Sequence, residues 1–367
     1  MASVAHIRLA VLDDYAELAE KHFRSAGLNL ESYHSFPKTL DPKTPDGLAA
    51  LTAQLEPFNV ISTMRERTPF PAELLTSLPN LKLLLTTGMR NASLDLETAR
   101  QRGILVAGTQ AKPPADSLDF RLPPSTHDTT TQQAISLLLS LTSRIPHDHR
   151  QITNPSTPDA WQSGFSIPLY GKTLGVIGLG KLGTNLARIC VQAFGMKVIC
   201  WSSNLDQSKA DDAAAGAGLP AGSFTAVAKQ ELLRTADVVS LHLVLSDRSR
   251  GTLKAEDLAL LKPSALLVNT ARAGLIEEDA LLHVLEKGRI AGAALDVFWK
   301  EPLPEDSLWR TTRWGEDGHS MVVLSPHMGY VNEVTMRWWY KEQAQEVKRW
   351  SEGESPLNIM NNPVSAS

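Results

Sequence analysis

The chain has 367 residues, enough for two domains with separate apolar cores, and its 43% hydrophobic and 21% charged residues are typical of a globular protein. A net charge of −4 without a long basic run argues against a nucleic-acid or membrane-surface partner. Two cysteines, Cys190 and Cys200, form neither a disulfide framework nor a zinc set, so we expect no metal site. Because no signal peptide or membrane-span pattern is found, we expect a cytoplasmic protein.

Short apolar runs typical of buried strands alternate with helical patterns along the chain. The first series of strands is predicted at Ile7–Leu12, Val60–Thr63, Leu81–Thr86 and Ile104–Ala107, with helices at 15–26 and 94–102. The second series is predicted at Thr173–Ile177, Lys197–Trp201, Val238–Leu243, Ala265–Asn269, Gly292–Asp296 and Val322–Leu324. This alternation predicts an α/β fold of two doubly wound parallel-sheet (Rossmann-like) domains with an active-site cleft between them.

The segment 110–125 contains four prolines and separates the two series. A segment of this length and composition is either a linker or a functional flap. As a flap, it would cover the cleft. The helix predicted at 130–144 carries the chain into the second domain, and an amphipathic helix at 333–350 returns it to the first. We therefore predict a discontinuous substrate domain, 1–130 with 335–367, and a dinucleotide-binding domain at 131–334.

A glycine motif follows the strand predicted at Thr173–Ile177 and precedes a helical stretch, which is the context that dinucleotide binding requires. Gly178 permits the tight turn, Gly180 lets the backbone approach a pyrophosphate, and Gly183 lets helix and strand pack closely. The pyrophosphate would bind the N–H groups at the helix start. The alternative is a glycine-rich turn without a ligand. The predicted cofactor contacts are Gly178, Leu179, Gly180, Lys181, Leu182 and Gly183.

The strand after the glycine motif ends without the acid that normally binds the ribose 2′-hydroxyl of NAD. It continues instead into Ser202, Ser203 and Asn204, whose hydroxyls and amide can donate to a 2′-phosphate. The absence of an adjacent arginine weakens that argument, and Asp206 could turn back toward the ribose. The cofactor is therefore predicted to be NAD(P), with NADP favoured over NAD.

Four motifs in the second half of the chain resemble those of the D-isomer-specific 2-hydroxyacid dehydrogenases. They are Asn-Thr-Ala-Arg-Ala-Gly at 269–274, Gly-Ala-Ala-Leu-Asp-Val-Phe at 292–298, Glu-Pro at 301–302 and Ser-Pro-His-Met-Gly at 325–329. The resemblance extends from about 7 to 358. It implies an oxidoreductase that transfers a hydride between NAD(P)H and a small 2-oxo or D-2-hydroxy acid, and it also implies a homodimer.

Matched position by position, the resemblance implies roles for three residues. Arg272 would bind the substrate carboxylate and carbonyl oxygen, His327 would be the acid/base, and Glu301 would orient His327. The chemistry favours these residue types, because a guanidinium stabilises an oxyanion and an imidazole exchanges protons near neutral pH. Taken singly, each could be an ordinary surface ion pair, loop acid or turn residue. Thr270, Ala271 and Asp296 are predicted cofactor contacts, with a structural carboxylate as the alternative for Asp296.

The loop at 87–95 resembles the family loop whose N–H groups bind the substrate carboxylate. It supplies Met89, Arg90 and Asn91 as predicted substrate contacts, although the family often has a glycine where Arg90 stands. Arg90 either adds a cation to the pocket or faces solvent. Arg65 is predicted near the substrate, with a surface ion pair as the alternative. Gln133 stands where the family commonly has Glu.

Three other functions stay open on the sequence. The first is a reductase for a larger aromatic or branched 2-oxo acid. The second belongs to a different class: a cofactor-sensing, co-repressor-like binding protein of the same fold, which would keep the same three residues. The third is a formate dehydrogenase, which the Glu–His pair disfavours because that pair suits proton transfer.

Overall fold

A computed structural model describes residues 6–38, 40–110, 128–154, 156, 161–162 and 164–361. Of the proline-rich segment predicted at 110–125, all but Gln110 lies outside the described residues. The chain divides into two compact units, the first formed by 1–119 with 332–367 and the second by 120–331. Each unit is described below by itself.

The first unit contains a five-stranded parallel sheet. Its strands are β1 (Ile7–Leu12), β2 (Leu30–Phe36), β3 (Val60–Thr63), β4 (Leu83–Thr86) and β5 (Leu105–Ala107). They are ordered β2-β1-β3-β4-β5, and every pair is parallel. The strand order reverses between β1 and β3, which is the position where open α/β sheets bind ligands at their carboxyl ends.

The second unit contains a seven-stranded parallel sheet. Its strands are β6 (Thr173–Ile177), β7 (Lys197–Trp201), β8 (Phe224–Ala226), β9 (Val238–Leu241), β10 (Leu266–Asn269), β11 (Gly292–Leu295) and β12 (Met321–Leu324). The order β12-β11-β10-β9-β6-β7-β8 is the dinucleotide-fold order with one additional strand. The strand order reverses between β6 and β9, where Ile177 of β6 is paired with Leu241 of β9.

Helices connect the strands and cover the sheets. In the first unit they are α1 (Ala19–Ser25), α2 (Pro45–Leu55), α3 (Ala72–Thr76), α4 (Leu96–Gln101) and, last in the chain, α13 (Glu333–Ser351). In the second unit they are α5 (Thr129–Thr142), α6 (Ile145–Thr153), α7 (Lys181–Phe194), α8 (Gln207–Gly216), α9 (Lys229–Thr235), α10 (Ala255–Leu258), α11 (Glu278–Glu286) and α12 (Leu308–Thr311).

Five interior strands of the two sheets are buried along their whole length. All residues of β3, β4, β9, β10 and β11 are buried, which explains why these strands are rich in apolar residues on both faces. At the edge of the first sheet, Ile359 pairs with Ala107 in an antiparallel bridge, and the Met360 N–H donates to the Val106 carbonyl at 2.8 Å. The residues after α13 therefore shield the edge strand β5 from water.

The predicted fold class of two doubly wound parallel sheets is confirmed, while several local predictions were wrong. The sequence reasoning missed β2 and β8, two edge strands that lack a continuous apolar run, and β8 has only three residues. The helix predicted from Tyr15 begins instead at Ala19. There the Asp14 carboxylate accepts the Leu18 and Ala19 N–H groups, at 3.0 and 2.9 Å. This cap fixes the helix start.

Candidate active site

The glycine loop after β6 has the geometry that the motif predicts. Gly178 has φ +102°, and a Cβ there would lie 2.8 Å from the Leu243 backbone nitrogen. A Cβ at Gly183 would collide with the carbonyl oxygen of Gly178. Both positions therefore require glycine for packing within the protein.

Gly180 differs from the other two glycines because its surroundings are open. A Cβ there would meet no described atom within 4 Å, so packing does not explain this glycine. Gly180 is also the N-cap residue of α7, and it provides no side-chain cap for the first N–H groups of that helix. Open space beside uncapped N–H groups fits a dinucleotide pyrophosphate. Of the other predicted loop contacts, Lys181 is exposed, while Leu179 and Leu182 are half-buried.

The loop after β7 places Ser202, Ser203 and Asn204 next to an ion pair. The Asp206 carboxylate accepts the Lys209 N–H at 2.9 Å and so caps α8, and it also accepts from Lys209 Nζ at 2.8 Å. Lys209 Nζ donates to the Asn204 carbonyl at 2.7 Å as well. The hydrogen bonds from Lys209 lower the pKa of Asp206. Asp206 therefore acts as a helix cap, and the Lys209 ammonium group binds Asp206 and the Asn204 carbonyl.

Arg272 follows β10 in a turn that Asn269 holds. The buried Asn269 side chain accepts the Ala271 N–H at 3.0 Å and donates to the Arg272 carbonyl at 3.1 Å. The Arg272 guanidinium donates through Nη1 to the Ala271 carbonyl at 2.8 Å. Sequence reasoning quoted Asn269 without giving it a role, although an Asn that ends a strand before a turn is a recognisable signal.

Two buried polar atoms near the switch point have no hydrogen-bond partner among the described residues. They are Oγ1 of Thr270, a predicted cofactor contact, and Nδ1 of His242, which directly follows β9. The other His242 ring nitrogen, Nε2, lies 2.8 Å from the Ser240 hydroxyl oxygen, and burial lowers the pKa of His242 to about 4. Orphaned polar groups at this edge fit a polar ligand. Sequence reasoning missed His242, whose signal is a polar residue directly after an apolar strand.

His327 and Glu301 form a hydrogen-bonded pair. His327 Nδ1 lies 2.6 Å from Glu301 Oε2, and Glu301 Oε1 accepts the Phe298 N–H at 2.9 Å. Burial opposes ionisation of Glu301, but the hydrogen bond and charge of His327, the Phe298 N–H and the Arg272 charge outweigh it. The pKa of Glu301 therefore lies below its usual value. The second unit thus brings His327 and Arg272, the other two predicted catalytic residues, within electrostatic range of Glu301.

Asp296 holds the turn that carries His327. It is fully buried and accepts the Met328 N–H at 2.8 Å, the Gly329 N–H at 2.9 Å and the Ser325 hydroxyl. Gln133 of α5 donates to the same carboxylate at 3.3 Å. His327 itself has φ 56°, a left-handed conformation that these flanking contacts stabilise. These contacts support the structural alternative for Asp296, and its role as a cofactor contact stays a prediction.

In the first unit, Arg65 lies in a conformation fixed by its neighbours. It has φ 52°, its N–H donates to the Thr87 hydroxyl at 2.9 Å, and its carbonyl accepts from Asn91 Nδ2 at 2.6 Å. A Cβ on Gly88 would collide with its guanidinium. The Asn91 amide donates to the Arg65 carbonyl and to the Thr86 hydroxyl, and its oxygen accepts the Ser93 N–H and hydroxyl. All of its hydrogen-bonding groups are therefore used, and its side chain positions Arg65.

The remaining two predicted substrate residues lie at the surface of the first unit. Met89 is 40% exposed. Arg90 is exposed and has no ion pair or hydrogen bond with any described residue. Its side chain is therefore held by none of the protein groups that the structure describes. Both alternatives for Arg90, a pocket cation and a solvent-facing side chain, stay open.

Three further chemical features concern the described residues: metal-ligand clusters, membrane-spanning helices and cysteine thiols. Within them, no three His, Cys, Asp or Glu side chains are grouped so that they could hold a metal ion. No helix in the described ranges has the length and apolar character needed to cross a membrane. Both cysteines are buried, and burial raises their pKa values to about 12, so neither is a reactive thiolate.

Comparison with known proteins gives the class of this site. The sequence model described as "D-isomer specific 2-hydroxyacid dehydrogenase, NAD binding domain" matches residues 135–329. The glycine loop and strand order of the second unit thus belong to a nicotinamide-dependent oxidoreductase. The chain is a member of the D-isomer specific 2-hydroxyacid dehydrogenase family, as its motifs predicted, and it is an enzyme of 2-hydroxy and 2-oxo acid oxidoreduction.

Individual relatives resemble the chain over most of its length. A glyoxylate reductase from Thermococcus litoralis is 28% identical over 343 residues, 92% of this chain and 94% of the relative. A D-3-phosphoglycerate dehydrogenase from Methanocaldococcus jannaschii is 30% identical over 305 residues, 83% of this chain and 52% of the relative. The crystal structure of a phosphoglycerate oxidoreductase from Vibrio cholerae matches with a TM-score of 0.77 and 28% identity, covering 95% and 99% of the two chains.

Proposed function

We propose that the enzyme reduces a small 2-oxo acid to its D-2-hydroxy acid, or catalyses the reverse reaction, with Arg272, Glu301 and His327 as its catalytic residues. The observation that carries this proposal is the 2.6 Å contact between His327 Nδ1 and Glu301 Oε2, in electrostatic range of Arg272. A carboxylate on Nδ1 leaves Nε2 to exchange a proton with substrate. This arrangement is the one expected of an orienting acid and an acid/base.

In the reduction, the Arg272 guanidinium binds the substrate carboxylate and stabilises the charge that develops on the carbonyl oxygen. His327 donates the proton that neutralises this oxygen, and Glu301 keeps the imidazole ring oriented and favours its charged form. When bound, the nicotinamide coenzyme supplies the hydride. In the oxidation, His327 accepts the hydroxyl proton instead.

We assign coenzyme contacts to the residues that line the carboxyl edge of the second sheet. Gly180 and the first N–H groups of α7 suit the pyrophosphate, and the orphaned Thr270 hydroxyl suits a polar group of the coenzyme. The other proposed contacts are Gly178, Leu179, Lys181, Leu182, Gly183, Ser202, Ser203, Asn204, Ala271 and Asp296. In the first unit, Arg65, Met89, Arg90 and Asn91 are the proposed substrate-side residues.

For the coenzyme we keep NADP as the favoured choice, because Ser202 stands where an acid would repel the 2′-phosphate and Asp206 is engaged as a helix cap. The test compares kcat/KM for NADPH and NADH in the wild type and in Ser202→Asp. We expect NADPH to be used at least as well as NADH in the wild type and the variant to favour NADH. A strong wild-type preference for NADH would contradict this choice.

We also propose that the enzyme is a homodimer. Large apolar side chains are exposed close together in the sequence of the second unit: α6 contributes Ile145 and Ile152, and Trp161 and Phe165 follow at 78% and 95% exposure. Exposed apolar side chains of this size mark a protein–protein contact where they form one contiguous patch. Light scattering on the wild type and on Ile152→Asp is the test. A monomeric wild type would contradict the proposal.

The substrate screen covers glyoxylate, hydroxypyruvate, phenylpyruvate and branched 2-oxo acids, each with NADH and NADPH. Glyoxylate heads the screen because one of the similar proteins is named for its reduction. We expect turnover with a small 2-oxo acid that depends on Arg272 and His327. Tight coenzyme binding without turnover on any of these acids would favour the co-repressor-like alternative.

A further inference from the structure

Two tryptophan side chains connect the turn that carries Glu301 with the segment that follows Arg272. Trp299 stands two residues before Glu301, and its indole N–H donates to the Ile276 carbonyl at 3.0 Å. Ile276 stands four residues after Arg272, just before α11. We propose that Trp299 is a positioning residue that fixes the Arg272 turn relative to the Glu301–His327 pair, an inference that rests on the proposed function.

Trp309 reinforces this connection from a second position. Its ring stacks on that of Trp299 with centroids 5.7 Å apart and planes 7° from parallel. Its own N–H donates to Glu278 Oε1 at 2.9 Å, and its side chain is almost fully buried. Two stacked indoles from the segment between β11 and β12 therefore dock on residues 276–278 through two hydrogen bonds. Neither ring can slide without losing stacking and a hydrogen bond together.

The rest of the Arg272 segment is held by different neighbours. The Gly251 N–H donates to the Gly274 carbonyl at 2.9 Å, and the Leu253 N–H donates to the Leu275 carbonyl at 3.0 Å. These bonds join the segment to the loop before α10, which contains no proposed catalytic residue. The Trp299 bond, in contrast, joins it to the turn that contains Glu301.

In this proposal Trp299 controls the distance between Arg272 and the Glu301–His327 pair, and that distance matters for the chemistry. The Arg272 charge contributes to the low pKa of Glu301, and Coulomb interactions change with the distance between charges. Hydride and proton transfer also require reacting groups to be held in near-attack geometry, and a displacement of about 1 Å can cost a hundredfold in rate. A loosened link should therefore lower turnover and alter its pH dependence, with little effect on coenzyme binding.

The test uses Trp299→Phe with Trp314→Phe as the matched control. The first variant keeps an aromatic ring but leaves the carbonyl of buried Ile276 without its indole donor. The control loses a bond of the same kind, from the Trp314 N–H to the Trp309 carbonyl at 3.1 Å. The Trp314 ring also contacts that of Trp309, but both indole bonds to residues 276–278 stay in place in this variant. Melting temperature, kcat, the pH profile of kcat, and KM for the coenzyme are measured for both.

We expect the two variants to lose similar thermal stability, because each gives up one indole hydrogen bond. Only Trp299→Phe should lower kcat, by roughly 5- to 20-fold, the worth of one lost hydrogen bond plus misplacement. It should also shift the pH profile while leaving KM for the coenzyme within about twofold of wild type. Glu278→Ala, which removes the acceptor of Trp309, should act in the same direction by a smaller factor.

A wild-type kcat and pH profile in Trp299→Phe would overturn the inference. If that variant does not fold, an unchanged kcat in Glu278→Ala overturns it instead. The proposed function fails by a different result, namely wild-type turnover in His327→Ala or wild-type kcat/KM in Arg272→Lys. The two failures are therefore distinguishable within one set of purified variants.

Discussion

The carboxyl edge of the seven-stranded sheet is built in two contrasting ways. After β6 the protein removes side chains: Gly178 and Gly183 permit a turn packed against backbone, and Gly180 leaves open space. After β10 and β12 it adds ionisable side chains, Arg272 and His327, and holds each in place. Backbone alone can bind a pyrophosphate, whereas polarising a carbonyl and transferring a proton require side chains at fixed positions.

The part of the edge that carries Arg272 and His327 therefore needs supporting residues, whereas the loop with Gly178, Gly180 and Gly183, here called the glycine half, does not. Asn269 spans the Arg272 turn, the Phe298 N–H binds Glu301, and Asp296 holds the His327 turn on its C-terminal side. The first two supports act within three residues of the group that they hold, whereas the buried Asp296 carboxylate reaches the His327 turn across 32 and 33 positions. We consequently expect substitutions at Arg272 and His327 to lower turnover, and substitutions in the glycine half to weaken coenzyme binding.

The largest expected effect is that of His327→Ala on turnover. Loss of a general acid should lower kcat by roughly a hundred- to ten-thousand-fold, while coenzyme binding stays close to wild type. Steady-state kinetics and coenzyme titration by fluorescence check the two parts. His283→Ala, an exposed histidine of α11, is the matched control and should leave kcat unchanged. Unchanged turnover in the His327 variant would remove the acid/base assignment.

Next in size is Arg272→Lys, which keeps the charge and loses the planar fork that binds a carboxylate at two points. Losing one charge-assisted hydrogen bond of about 2 kcal/mol should lower kcat/KM for every 2-oxo acid by roughly 30-fold. Arg289→Lys, at an exposed position of the same unit, controls for the exchange itself. Wild-type kcat/KM in Arg272→Lys would make this arginine structural.

The smallest effect is expected in the glycine half. Gly180→Ala adds a methyl group that meets no described protein atom, so the melting temperature should stay unchanged. KM for the coenzyme should rise several-fold, because the methyl group occupies space proposed for the pyrophosphate. Gly216→Ala is the control, since Gly216 is equally open and ends α8. Equal coenzyme KM values for the two variants would argue against a pyrophosphate at Gly180.

The fold and the main motifs were predictable because they depend on short-range patterns. Continuous apolar runs mark strands that are buried on both faces, as in β9 to β11, and a glycine motif between strand and helix marks a dinucleotide loop. The same reasoning missed β2, an edge strand whose residues are not continuously apolar. Edge strands bury only part of their surface, so hydrophobic periodicity identifies them poorly.

The supporting contacts that join residues far apart in the chain were not predictable from local patterns. Gln133 donates to Asp296 across 163 positions, and the Trp299 indole reaches Ile276 across 23. The sequence allows Asp206 to turn back toward the ribose, and in the structure its side chain caps α8. An Asp one residue before a helix has a strong local preference to cap it, and that preference is readable once the helix start is known.

The pH dependence of 2-oxo acid reduction in the wild type and Glu301→Gln tests the central claim most directly. Because the pKa of Glu301 is lowered, its carboxylate stays ionised at every pH above that lowered value. At neutral pH the Glu301–His327 pair therefore includes the negative charge of Glu301. In the proposed mechanism, reduction needs a protonated His327, and removing the negative charge makes its protonation less favourable. Glu305→Gln, at an exposed position four residues further along the chain, is the matched control and should leave the profile unchanged.

We therefore predict that the basic limb of the kcat profile moves to lower pH in Glu301→Gln, while KM for the coenzyme changes little. An unchanged basic limb would show that Glu301 exerts no charge effect on the group that titrates, which would contradict the assignment of the Glu301–His327 pair as the proton-transfer unit.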